Sequence, residues 1–478
     1  MDTKNTHSHN ILNNDADVKG NEFIAINPRT GKPFFDCALF SDFLELNNFY
    51  RYEGLTIKLY ENIATPHKEQ DVYNFGLDYI KSLNNPAFRN TYIKEAGKLI
   101  NSKTFLGGLQ PLELKPYRDS IHEVAFFLKN LFVVITKDGF KTYTYDQLSK
   151  IIGNRFIFNS RILKRNFDPK NIDHKQSQYY QIIELASENK DSLLKILTSI
   201  GYLSQDYKNE GLAKMPILTD IASITTNAAN GRSCKGLILK GLEEISSTVL
   251  IDGKTADFYN PHVLQSVTTD TRIIIISDLA KDFKKDGLFN LITDSMTIKK
   301  LYQPETITPF KDSPKVVCTT NYSNILSNEN SWKARIHPVI LNNYFNIDYT
   351  PLKHFNNLLF TNWDNDQWNL FYATIFEAAR LFLLHGLADY ESETLKKTLI
   401  EKSTSKRFLE LMETEYSMLN SYYNLKDIAA KVKDIKVDDV KAKSKICSEW
   451  INKYAIFKGY KVDKRLQNGV TKLSFVLK

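Results

Sequence analysis

The chain has 478 residues, 42% of them hydrophobic and 25% charged, with a formal net charge of +8, which suits two to four domains and at least one sizeable core. No apolar run approaches the roughly 18 to 20 residues that span a bilayer, and the opening MDTKNTHSHNILNNDADVKGNE lacks the basic-then-apolar order of a signal peptide, so no membrane partner and a reducing, cytoplasmic setting are expected. Cys37, Cys234, Cys318 and Cys447 lie far apart, which supports neither a disulfide framework nor a zinc site.

After a polar lead expected over 1–22, EFIAINPRTGKPFF reads as a hairpin, LFSDFLELNNF as a short helix, and DVYNFGLDYIKSL and FRNTYIKEAGKLIN as amphipathic helices. HEVAFFLKN, LFVVITKDG and FKTYTYDQL read as a strand meander with a Lys137-Asp138-Gly139 turn, and NRFIFNSRIL adds a candidate strand. These elements make an α+β domain over 23–174. QIIELASEN and DSLLKILTSIGYLSQ return to helical spacing and open an α/β unit over 175–390.

Within that unit MPILTDIAS reads as a buried strand, TTNAANGRSCKG as a loop and KGLILKGLEEI as the helix after it. A strand, a nest of backbone N–H groups and a helix N-terminus form a phosphate cradle. The loop is also compatible with a small-residue turn capping an ordinary helix, because Ala229, Cys234 and Gly236 depart from G-x-x-x-x-G-K-[ST] and Lys235 alone matches. TRIIIISDLAKDF is an apolar strand ending in Asp278, the form that holds magnesium at a strand tip, or a buried strand whose acid caps the next element. SPKVVCTTNYS ends in Asn321, suited to orienting a water, and NSWKARIHPVIL carries Arg335. Lys235, Asp278 and Asn321 follow one another at 43-residue steps, with Arg335 14 later; this order lifts the signals above chance.

NDQWNLFYATIFEAARLFLLHGL places Trp368, Phe371, Ile375, Ala378 and Leu381 on one helical stripe, a core face. Residues 386–405 read as a polar linker. KRFLELMETEYSMLNSYYN, LKDIAAKVKDI and DVKAKSKICSEWINKYAIFKGY read as three helices, and KVDKRLQNGVTKLSFVLK as a hairpin turning at Asn468-Gly469. Helices followed by a two-stranded wing describe a winged helix over 391–478. Residues 440–478 hold ten Lys or Arg against two acids, the whole of the +8 excess, which is an electrostatic footprint for a polyanion or a solvated tail. Asp15 and Asp17 fall in the polar lead and are no primase acid pair. His122, His262 and His337 form no metal motif and are expected to be structural.

The stretches NAANGRSCKGLILKGL, VLIDGKTADF, TRIIIISDLAKDF, LFNLITDSMTIKKLYQPETITPFKDSPKVVCTTNY and NSWKARIHPVIL, spanning most of 225–341, resemble the superfamily 3 helicases of phages, plasmids and large DNA viruses, particularly the Bacteroidetes-like primase-helicases. The resemblance implies an α/β chain: a central P-loop AAA+ domain between an N-terminal α+β domain and a C-terminal winged helix. It implies that Asn230, Gly231, Arg232, Ser233, Cys234, Lys235 and Gly236 bind the phosphates of ATP, that Asp278 holds Mg2+, that Asn321 is the sensor and that Arg335 is an arginine finger offered to a neighbouring subunit. TIKKLYQPETITPF then resembles the family's DNA hairpin, with Lys299 and Lys300 in the channel. Lys461, Lys464, Arg465 and Lys472 would meet duplex DNA.

Relatives usually have glycine where Cys234 stands and two acids where this chain has Ser277-Asp278, and Gly236 removes a hydroxyl that binds magnesium. The expected activity is therefore an ATP-dependent motor, a ring-shaped, hexameric replicative DNA helicase of a phage or mobile element, with single-stranded DNA, duplex DNA and replication proteins as partners in a bacterial host. The alternative is a nucleotide-binding, weakly or non-hydrolysing relative acting as a DNA loader or scaffold. A packaging or remodelling ATPase is a more distant third.

Overall fold

The computed structural model describes residues 22–101, 103–170, 172–226, 233–260, 262–301, 304–322, 329–437, 439–467 and 470–477. At the N-terminal end the hairpin Ile24–Ile26 with Pro33–Phe35 and the helices Cys37–Leu46, Glu69–Ser82 and Pro86–Ile100 enclose Phe23, Phe40, Phe43 and Tyr92. The segment after the first helix, which carries no strong sequence pattern, supplies the strands Phe49–Tyr52, Leu55–Tyr60 and Ile63–His67 of a five-stranded sheet. Arg155–Phe158 joins that sheet parallel to Ile63–His67, whereas the strands Val124–Phe127, Phe132–Thr136 and Gly139–Tyr143 form the expected antiparallel meander. The meander buries its inner face against central helices: Phe126 and Phe376 rings lie 5.2 Å apart.

The central unit is a five-stranded parallel sheet. Its strands are β1 (Met215–Asp220), β2 (Thr248–Asp252), β3 (Ile273–Leu279), β4 (Lys315–Thr320) and β5 (Ile336–Leu341), in the order β2-β3-β4-β1-β5. Parallel strands covered on both faces read as unbroken apolar runs, which is why Ile273 to Ile276 are all buried. The connections leaving β1 and β4 run to opposite edges, and in such sheets crevices form outside the carboxyl ends where the winding changes direction.

One face is covered by α1 (Lys190–Ser204), and α4 (Asn365–His385) packs on α1. Their crossing depends on Gly201, where an added Cβ would come within 2.1 Å of the Ala378 carbonyl oxygen. That atom is backbone and cannot step aside, so Gly201→Ala should cost about 3 kcal/mol, the upper end for overpacking. It would be read as a lower urea midpoint with an unchanged slope.

Two boundaries differ from the sequence expectation. The strand in MPILTDIAS stops at Asp220, because that side chain accepts the Ser223 N–H (2.7 Å) and starts α2 (Ile221–Thr226); Asp is a favoured N-cap and competes with strand continuation. The stretch expected as a linker contains α5 (Glu393–Ser403), started by Ser392 accepting the Leu395 N–H at 3.1 Å.

The C-terminal module packs α6 (Lys406–Glu415), α7 (Leu425–Lys431) and α8 (Val440–Lys458) on an antiparallel sheet of β6 (Tyr423–Asn424), β7 (Tyr460–Gln467) and β8 (Val470–Leu477), in the order β6-β8-β7. Phe408, Met412, Ile451, Tyr454 and Phe475 form its core. The sheet has three strands rather than two, since β6 is too short to show alternation. Asn468-Gly469 lies outside the described residues. Among the described residues no helix is long and apolar enough to cross a membrane.

A buried ionic hub ties the N-terminal part to the central sheet. Asp119 and Asp206 each donate their backbone N–H to the other's carboxylate, at 2.7 and 2.9 Å. Arg272, which immediately precedes β3, reaches Asp206 at 2.7 Å and Asp119 at 3.3 Å, and Arg161 reaches Asp119 at 3.4 Å. Burial and the neighbouring Asp206 push the Asp119 carboxyl up to about 6. Burial would raise Asp206 too, but Arg272 and Arg161 hold it well below the usual carboxylate range.

Candidate functional site

The carboxyl ends of β3 and β4 and the start of the helix Lys235–Glu243 open on a cleft of about 710 Å³ lined by Ser233, Lys235, Gly236, Asp278, Asn321 and an apolar wall that includes Leu237, Leu250 and Pro351. Lys235 is the first residue of α3 (Lys235–Glu243). The residue before it, Cys234, is held at φ 67, a left-handed conformation that costs a residue with a Cβ about 1–2 kcal/mol. Burial pushes the Cys234 thiol up to about 12, so it brings bulk but no charge. At Gly236 an added Cβ meets nothing within 4 Å; the hydroxyl missing from this position would fit.

The Lys235 ammonium donates to Ser233 Oγ and Asn321 Oδ1, each at 2.9 Å, and forms an ion pair with Asp220. Lys235 and Asn321, far apart in sequence, thus meet because β1 and β4 are neighbours. Asp220 was not singled out from the sequence. It is wholly buried, with Oδ1 accepting from Ser223 N–H and Oδ2 from Ser233 Oγ at 3.1 Å. The available signal was an acid ending the apolar run MPILTD, the same form that marked Asp278 in IIIISD.

Asp278 stands at a break in the β3–β4 register, with φ 52, and its N–H donates to Thr319 Oγ1 at 2.9 Å. Its carboxylate is half-exposed and pairs with Lys254 at 3.1 Å. Gly253 makes that pair possible: its N–H donates to the Ser277 carbonyl at 2.6 Å, and a Cβ there would lie 2.7 Å from the same oxygen. Lys254 is a second residue missed from sequence.

Ser233, Cys234, Lys235, Gly236, Asp278 and Asn321 therefore line one cleft. Asn230, Gly231 and Arg232 lie outside the described residues. Arg335 ends the short helix Asn330–Arg335 away from the cleft lining; it donates to the Ser331 carbonyl at 2.9 Å and its guanidinium lies over Phe289 at 4.6 Å. Lys299 and Lys300 directly follow the first strand of an antiparallel hairpin, Met296–Ile298 with Thr306–Thr308. Lys299 is exposed and Lys300 half-buried.

Of the four basic residues expected at the C-terminal sheet, Lys461 is exposed and Lys472 half-buried. Lys464 donates to Ser448 Oγ at 2.8 Å, and Arg465 pairs with Asp463 at 3.1 Å while stacking on Tyr422. His337 is buried, and burial pushes it down to about 3, so it is neutral. His122 is exposed and His262 half-buried. His262 Nδ1 meets the Lys299 carbonyl at 3.2 Å, and the His122 backbone N–H donates to Ser120 Oγ at 3.2 Å.

A triphosphate would fit this cleft, with Lys235 and the start of α3 facing its charge. Among the described residues no cluster of three metal-ligating side chains exists. Asp278 is nonetheless adequate for Mg2+, which is typically bound through one or two carboxylates together with substrate phosphates.

No family model matches the chain, and no curated protein matches it. Solved structures do match. The apo A form of the NrS-1 C-terminal region is 10% identical, with a TM-score of 0.32, over 74% of this chain and 96% of that one. JCV helicase, solved with a thiazolopyridinyl-phenoxyphenyl acetamide, is 12% identical, with a TM-score of 0.25, over 49% of this chain and 64% of that one. At identities and scores this low, function has to be argued from the chain's own residues.

Proposed function

We propose that the chain is an ATP-dependent nucleic-acid motor of the superfamily 3 helicase type, working as a ring in the replication of a phage or mobile element within a bacterial cytoplasm. The observation that carries this is the convergence of Lys235 from the start of α3, Asp278 from the end of β3 and Asn321 from just after β4 on one cleft at the carboxyl edge of a parallel sheet. Lys235 and the α3 N-terminus would hold the phosphates. Asp278, released from Lys254, would hold Mg2+, which when bound neutralises the charge that develops during phosphoryl transfer. Asn321 would orient the attacking water. Arg335 would complete the site only from a neighbouring subunit, as expected of a hexamer; its position away from this chain's own cleft is compatible with that role.

The hairpin bearing Lys299 and Lys300 would track single-stranded DNA. The C-terminal helices and three-stranded sheet would act as the winged helix, and the excess positive charge on α8, β7 and β8 supports duplex binding through phosphates. A second reading is favoured by specific residues: Cys234 at a strained backbone position, glycine at 236 and Asp278 already paired with Lys254 all suit a nucleotide-binding loader that hydrolyses slowly or not at all.

The discriminating experiment is ATP turnover with and without single-stranded DNA. Stimulated turnover is expected of the motor, and tight ATP binding without turnover is expected of the loader. Deleting 391–478 should lower duplex affinity and flatten its dependence on salt, since released counterions set that slope. Unchanged duplex affinity at several salt concentrations would remove the winged helix from DNA binding.

A further inference from the structure

We infer that Asp220 is the resident counter-anion of the phosphate-site lysine, and that a polyphosphate can bind only by exchanging for it. The inference rests on the proposed nucleotide site and concerns its regulation. A lysine ammonium has three donors, and in Lys235 all three are engaged, by Asp220, Ser233 Oγ and Asn321 Oδ1. A phosphate oxygen arriving from the cleft therefore meets a cation that is already neutralised and hydrogen-bonded, and one acceptor has to leave. Asp220 is the anionic one, and its charge repels a phosphate that approaches the same ammonium.

A simpler reading makes Asp220 only the cap of α2. The two oxygens divide these tasks: Oδ1 takes the Ser223 N–H, and Oδ2 faces Ser233 and Lys235. The cap needs one oxygen and no charge, and an asparagine would supply it. The cap therefore does not explain the second oxygen or the burial of a full negative charge beside the lysine. Ser233 bridges the pair, donating to Asp220 and accepting from Lys235. It precedes the strained Cys234, so rearrangement of the loop end would alter both partners of Asp220 Oδ2 at once.

Asp220→Asn keeps the cap oxygen and removes the competing charge. Titration of the full chain with inorganic tripolyphosphate, followed by calorimetry, should then show an affinity at least about tenfold higher than the parent's, the equivalent of one charge-assisted hydrogen bond. The gain should vanish in Asp220→Asn combined with Lys235→Ala. Binding by Asp220→Asn but not by the parent would be the strongest support. Binding by the parent with no gain in Asp220→Asn would overturn the inference and leave the nucleotide site standing. Binding by neither would overturn both. If Asp220→Asn is too unstable for titration, tripolyphosphate should raise its Tm by more than it raises the parent's; an equal or smaller rise would overturn the inference.

Discussion

Lys235→Ala should remove saturable ATP binding and also destabilise the folded chain by about 3–5 kcal/mol, the usual cost of breaking a buried pair. Two effects combine in the binding loss. The ammonium that would face the phosphates disappears, which by itself corresponds to about 1.5–3 kcal/mol for a charged hydrogen bond. The Asp220 carboxylate then stands uncompensated beside the cleft, held among the described residues by Ser223 N–H and Ser233 Oγ, and repels the incoming anion. Binding by calorimetry and stability by urea unfolding separate the two effects. Equal ATP affinity in parent and variant would remove the phosphate-site reading, whatever happened to stability.

Asp206→Ala should destabilise by a similar amount, about 3–5 kcal/mol, because among the described residues it leaves the half-buried Arg272 beside β3 with Asp119 at 3.3 Å as its remaining ion-pair partner and deprives the Asp119 N–H of its acceptor. The hub also sets a pH dependence whose sign can be worked out. Asp119 is raised from 3.8 to about 6 in the folded chain, so its ionised form is a cost at neutral pH that is relieved as pH falls from 6 towards 4. Asp206 is depressed below 3.8, so its contribution is present above that value and is lost only as pH drops below it. Between pH 7 and 5 the hub should therefore gain stability, and Asp119→Asn should remove that gain. A hub contribution that falls over this interval, measured as the difference between parent and Asp119→Asn, would contradict the assignment.

The sequence was most informative where one chemical rule dominated. Four isoleucines in a row can hardly be other than a strand buried on both faces, and the polar residue ending such a strand has to sit at the sheet edge; Asp278 and Asn321 were found this way. The three C-terminal helices were similarly legible from periodicity, whereas the hairpin at 296–308 was expected only from the family resemblance. Asp220 obeys the same rule as Asp278, yet its partner is fixed by how α3 starts, through a left-handed Cys234 that no spacing reveals. Lys254 was hidden because its reach to Asp278 depends on Gly253 closing against Ser277 across two strands. The hub was invisible for a related reason: Asp119, Asp206, Arg161 and Arg272 are scattered charges that only the tertiary fold brings together. The strands over 49–67 were missed because β pairing is decided by partners distant in sequence, and the helix in 393–403 because its first turn depends on the Ser392 cap within an otherwise polar stretch.

The central claim, a polyphosphate site built on Lys235, is tested most directly by equilibrium binding of ATP with Mg2+ to the full chain, with inorganic tripolyphosphate as competitor. Saturable binding that tripolyphosphate displaces and that Lys235→Ala removes is the predicted result. Binding that millimolar tripolyphosphate leaves in place, or that Lys235→Ala retains at equal affinity, would contradict it.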